Sequence, residues 1–225
     1  MNLLDYLHLQ LRLEGMQVFN GSFLRQVEIV PDEEMLSMAI VSLASNELVA
    51  YYDAALTPEL RDRLEKQIHA LNFPHIDPII DLLKSQSTEV EFGHYKTYTF
   101  PERFRNAEVA EVKLYPKTDP KIQAFDFGGF TEQIHAIERD GKIVSACVSA
   151  KENSRGGEAW VFTDPDYRHQ GLAQKVVSAW ARDLLLAGKI PFYSHTIQNN
   201  ASASLAKHLD LKPVFEEITI SPIAV

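Results

Sequence analysis

Residues 158–173 read EAWVFTDPDYRHQGLA, and these residue types at this spacing suit the binding of an anion. The apolar run 159–163 has the composition of a strand, Asp164-Pro165-Asp166 that of a turn, and a helical run opens at Leu172. A loop feeding a helix N-terminus presents unpaired backbone N–H groups, and the helix dipole adds to their positive field. The amides of Arg168, His169, Gln170, Gly171, Leu172 and Ala173 would therefore face a phosphate. Gly171 would let the chain pass close to it, and the small Ala173 keeps the first turn open. Arg168 could add a charge-assisted contact or pair with a nearby carboxylate instead. Loops with one glycine between strand and helix are common, so this pattern alone names no ligand.

The elements around the loop follow from local signals. Residues 133–138 and 142–149 form a hairpin about Arg139-Asp140-Gly141, since Asp-Gly favours a two-residue turn. The helix after the loop buries Leu172, Val176, Trp180 and Leu184 and stops at Gly188 before Pro191. A strand spans 190–197, Asn199-Asn200 caps a last helix through Leu209, and 214–220 is a closing strand. Upstream, residues 2–14 place Leu3, Leu4, Leu7 and Leu11 at helical spacing, although Leu9, Leu11 and Leu13 also alternate as in a strand. Residues 38–43 and 48–52 read as a hairpin, with a helix over 33–44 as the alternative. Thr57-Pro58-Glu59 and Asp77-Pro78 are helix starts. The prolines and the Gly128-Gly129 pair of 115–129 mark a domain transition. The expected division is an α+β region over 1–112 and a second domain over 113–225, a mixed α/β sheet with helices on both faces.

Composition narrows the function classes. With 225 residues, 45% apolar and 24% charged, the chain has the balance of a globular protein with a core. No run of about 18 apolar residues suggests a membrane span, and the leucine-rich start carries acidic and basic residues unlike a signal peptide. A single cysteine, Cys147, excludes an internal disulfide, and the eight histidines lack ligand spacing, so no metal is expected. A cytoplasmic setting is the default. The net charge of −9 lies wholly in residues 1–112, which carry 18 acidic against 9 basic side chains; residues 113–225 carry 13 of each. That excess disfavours nucleic acid and suits a cationic acceptor or a solvated surface.

Thr163-x-Pro165-x-Tyr167-Arg168-x-x-Gly171-x-Ala173 resembles the acetyl-CoA pyrophosphate loop of the GNAT superfamily of N-acyltransferases. The resemblance runs from about Gln133 to Leu211. It takes in Asp140-Gly141-Lys142-Ile143-Val144-Ser145, Ala179-Trp180-Ala181, Pro191-Phe192-Tyr193-Ser194, and Asn199-x-x-Ser202 followed by Leu205-Ala206. The resemblance implies a bacterial subgroup with an N-terminal extension, and central parallel strands that splay at the loop with pantetheine in the wedge. It implies main-chain contacts to pantetheine and thioester from Phe162 and Thr163. Acetyl-CoA would be the co-substrate, with an amine of a small molecule or peptide as acceptor. The N-terminal region would cover the acceptor side, in a monomer or homodimer.

Such a transfer needs a deprotonated amine and a proton for the departing thiolate. Alkyl amines ionise at about pH 10, so a base or a water path is required. Glu158, at the start of the core strand, is the best-placed carboxylate, unless it is only an exposed residue after a turn. His135 and His195 are alternatives that read equally as structural. The superfamily's tyrosine acid would fall near Ala206, and no tyrosine lies in 199–210. Ser202, Ser194, Thr196 or water would then protonate a thiolate whose pKa is only about 8.5. Asn199 suits both a cap and a contact to the pantetheine amide, and Cys147 reads as core. The missing tyrosine keeps a rival open, a non-catalytic CoA-binding sensor. The loop assignment is testable on one residue. Gly171→Asp brings a side chain and a negative charge into the cradle and should abolish CoA binding in calorimetry; wild-type affinity would exclude the loop.

Overall fold

Helix α1 (Leu3–Leu13) begins where Asn2 and Asp5 cap each other: the Asp5 N–H donates to Asn2 Oδ1 (2.8 Å) and the Asn2 N–H to Asp5 Oδ2 (3.0 Å). The computed structural model describes residues 1–25, 38–85, 89–123 and 133–222. After α1 come strands β1 (Met16–Phe19), β2 (Ser22–Arg25), β3 (Met38–Leu43) and β4 (Leu48–Asp53), helices α2 (Pro58–His69) and α3 (Asp77–Lys84), and strand β5 (Val90–Thr99). Then follow β6 (Lys113–Pro116), α4 (Pro120–Gln123), β7 (Gln133–Arg139), β8 (Lys142–Glu152) and β9 (Gly156–Thr163). The chain continues through α5 (Leu172–Leu186), β10 (Ile190–Thr196), α6 (Asn200–His208) and β11 (Lys212–Pro222). The Gly128-Gly129 pair and residues 33–37 lie outside the described residues. No helix among the described residues is long and apolar enough to cross a membrane.

Most local expectations hold, and the exceptions have physical reasons. Residues 9–13 are helical, and Leu7, Leu9, Leu11 and Leu13 are all buried while Leu4 is exposed. The end of α1 is thus covered nearly all round, which produces the alternation that mimics a strand. Thr57 caps α2 as expected, its Oγ1 accepting from the Leu60 N–H (3.3 Å). Asp77 does not cap α3: Ile76 holds that place without a side-chain bond, and Asp77 is the first helical residue. Its charge still faces the positive end of the dipole.

The chain forms two compact units, Met1–Thr97 with Val214–Val225, and Tyr98–Pro213. The division falls at Tyr98 rather than at 113, and β11 returns to the first unit from Val214 onward. In the first unit the strands run in the order β1-β2-β4-β3-β11-β5. Strand β3 shows why helices cover both faces of this sheet. Met38 and Ile40 pack with Leu64, Ile68 and Ile79 of α2 and α3, while Ala39 and Val41 pack with Leu7 and Leu11 of α1.

In the second unit the order is β10-β9-β8-β7-β6. Strands β6 to β9 are antiparallel neighbours, and β9 and β10 are parallel. The β7–β8 turn puts Asp140 (φ 50°) and Gly141 (φ 80°) in the left-handed region, as a tight hairpin requires. Helix α5 lies over β8 and β9 with Val176, Val177, Trp180, Ala181, Leu184 and Leu185 buried, and the Trp180 Nε1–H donates to Ser149 Oγ (2.9 Å). Each valine or leucine among them contributes on the order of 1.5–3 kcal/mol when removed from water. Helix and sheet approach closely at Gly157, where an added Cβ would lie 2.9 Å from Leu184 Cδ1. Two adjacent leucines test this packing by denaturant unfolding. Leu185→Ala, at a position 3% exposed, should cost about 2–5 kcal/mol. Leu186→Ala, at 61% exposed, should stay within about 0.5 kcal/mol.

Candidate functional site

Strands β9 and β10 pair through Ile190↔Gly156, Pro191↔Gly157 and Phe192↔Glu158, and there the ladder ends. Beyond those pairs the strands part. On the other side of β9, the Asp164 N–H donates to Val144 O (2.9 Å) and Phe162 stands opposite Ala146. The antiparallel pattern then turns the main-chain groups of Asp164, Phe162 and Trp160 toward β8, and those of Thr163, Val161 and Ala159 toward the parting. A cavity of about 780 Å³ opens there, a size that accepts a cofactor-sized ligand. Val161 and Thr163 form one wall, and Tyr193 of β10 with Asn199 and Ser202 at the start of α6 form the other.

The far end of the cavity is the loop 168–173. Arg168, His169, Gly171, Leu172 and Ala173 all line it; Gln170, in the same loop, does not. His169 (φ 61°) and Gly171 (φ 72°) both adopt left-handed backbone. For a histidine that conformation carries strain of order 1 kcal/mol or more, of the kind that collects at binding sites. Gly171 occupies the cap position of α5 and supplies no side-chain hydrogen bond to the first amides of the helix. The Arg168 Nε–H donates to Thr163 O (3.4 Å), tying the loop to the end of β9 rather than to a carboxylate. The loop therefore fits a phosphate group on the observations that its helix is uncapped and its backbone curls left-handed around the opening.

Asn199 and Ser202 are brought to the same cavity, and they bond each other: the Ser202 N–H donates to Asn199 Oδ1 (3.0 Å). Asn199 is thus the cap of α6, which accounts for its carboxamide oxygen and not for its NH₂. Phe162 stands apart from the cavity lining. Its main chain faces β8, where its carbonyl accepts from Ser145 Oγ (3.0 Å), and its ring stacks on Trp160 with centroids 6.5 Å apart. Glu158 sits in the last closed pair, between Phe192 and Lys151, and does not line the cavity. His135 is buried with Nε2 on Asp183 Oδ2 (2.9 Å), and desolvation pushes its pKa down. His195 is buried and stacks on Tyr98, with Nδ1 donating to Thr196 O (2.9 Å). Among the described residues, no group of three or more His, Cys, Asp or Glu is placed to hold a metal ion.

Tyr193 is a cavity residue whose role the residue pattern does not single out. Its side chain is 2% exposed, and its hydroxyl has no hydrogen-bond partner among the described residues. Burial pushes the phenol pKa up to about 12; the neighbouring Ser202 tempers the shift without reaching hydrogen-bond geometry. In sequence, Pro191-Phe192-Tyr193 is an ordinary core strand, and only the register with β9 shows where pairing ends.

Comparison with known proteins agrees with this geometry. Residues 135–216 match the GNAT acetyltransferase family model. The fold is similar to a GNAT-family acetyltransferase structure from Novosphingobium aromaticivorans (TM-score 0.51, 16% identity, 61% of this chain and 68% of that one). It is similar also to an acetyltransferase of the GNAT family from Colwellia psychrerythraea (TM-score 0.52, 13% identity, 78% and 77%). At these identities the likeness concerns the fold. None of the curated proteins matches the sequence. Residues 135–216 thus match the GNAT acetyltransferase family model, and the fold is similar to that of GNAT-family acetyltransferase structures.

Proposed function

We propose that the protein is an N-acetyltransferase that moves the acetyl group of acetyl-CoA to an amine of a small molecule or peptide by direct attack. The observation that carries this reading is the cavity in the β9–β10 parting, which ends on the uncapped, left-handed N-terminus of α5. The amides of 168–173 would hold the pyrophosphate, with Arg168 bracing the loop. Main-chain groups of Thr163 and Val161 would meet the pantetheine as a neighbouring strand would, and the Asn199 NH₂ its amide carbonyl. Ser202 is the side chain on α6 that can protonate or solvate the departing sulfur. Glu158 stands one residue short of the parting and is the carboxylate from which a water path to the amine could start. The missing tyrosine on α6 still favours a second reading, a CoA-binding sensor without turnover.

Free-thiol release from acetyl-CoA across an amine panel, with calorimetry of CoA alone, separates these readings. Amine-dependent release supports transfer, CoA binding without release supports the sensor, and no CoA binding overturns both. Asn199→Asp probes the wall. Aspartate caps a helix as well as asparagine, so the melting temperature should hold, while loss of the NH₂ donor weakens CoA binding roughly three- to tenfold.

A further inference from the structure

We propose that the Tyr193 hydroxyl is the hydrogen-bond donor that meets the sulfur end of CoA where β9 and β10 begin to part. This rests on the CoA reading above. A hydroxyl buried without a partner is destabilising, and phenylalanine would fill the same space without that cost. Tyr193 nevertheless lines the cavity with its hydroxyl unpartnered among the described residues. Its position along the cavity identifies which part of a ligand it would meet. Phe192 pairs with Glu158, so Tyr193 stands level with Ala159 at the narrow end, four residues back along β9 from Thr163. At about 3.3 Å per residue that run is about 13 Å. An anion seated at 168–173 and an extended arm of two amide units would bring a terminal sulfur to that level.

The chemistry suits a neutral donor. With its pKa pushed up to about 12, the phenol keeps its proton throughout the working range. As the amine forms its C–N bond and the C–S bond breaks, sulfur keeps the electron pair. The Tyr193 O–H then stabilises the thiolate by donating a hydrogen bond without transferring its proton. The proton of the amine leaves to water. This role differs from that of a proton-donating acid and does not require a residue on α6.

Calorimetry with CoA and with desulfo-CoA, at pH 7 and pH 9, tests the assignment without turnover. The wild type should prefer CoA by about tenfold at pH 9, where the thiol ionises, and by less at pH 7. Tyr193→Phe should lose that preference, bind desulfo-CoA as the wild type does, and melt without ligand at the same or a higher temperature. Equal affinity of the wild type for both compounds, or an undiminished preference in the variant, would overturn the proposal. So would a variant that melts lower or fails to fold, because the hydroxyl would then have a structural partner. A preference lost only in Ser202→Ala would assign the sulfur to Ser202 instead. Failure of the wild type to bind either compound would remove the CoA reading itself, and this proposal with it.

Discussion

The loss of the β9–β10 ladder after Phe192↔Glu158 is the constraint on which the second unit depends. A sheet that stops pairing inside a domain leaves amides and carbonyls that must find partners elsewhere. Here they face a cavity, so a ligand with alternating amide groups can take the place of the absent strand. Gly157 lets β9 lie close under α5, and α6, capped by Asn199, contributes Ala206 to the buried cluster that holds Tyr193. The first amides of α5, left without a side-chain cap, belong to the same arrangement. One ligand could satisfy the strand, the helix end and the buried phenol together.

Features that depend on near neighbours along the chain are legible in the residue pattern itself. Asp140-Gly141 makes its turn, Gly188 ends α5, Thr57 and Asn199 cap their helices, and Gly171 takes left-handed backbone. Each depends on a hydrogen bond or a φ angle within a few residues. The loop 168–173 is legible for that reason, and with it half of the cavity. The rest depends on pairing between distant residues. Nothing in the alternation of Val214 to Ile220 says that β11 lies beside β3. Nothing near Phe162 says that its backbone faces β8, a matter of register parity alone. Tyr193 is hidden for the same reason: a tyrosine in an apolar strand carries no mark of whether its hydroxyl is satisfied. Asp77 fails as a cap because the X-Pro signal fits either of two adjacent places, and the chain takes the earlier one.

Cys147 is wholly buried on β8, and burial pushes its thiol pKa well up. Reactivity toward disulfide reagents and alkylators depends on thiolate and on access, and the folded protein offers neither. A colorimetric thiol reagent added to the native protein would therefore record only sulfur released from a thioester. The same reagent under denaturing conditions would reveal one equivalent per chain. The lone cysteine is silent in the folded state and becomes a built-in reporter of its loss.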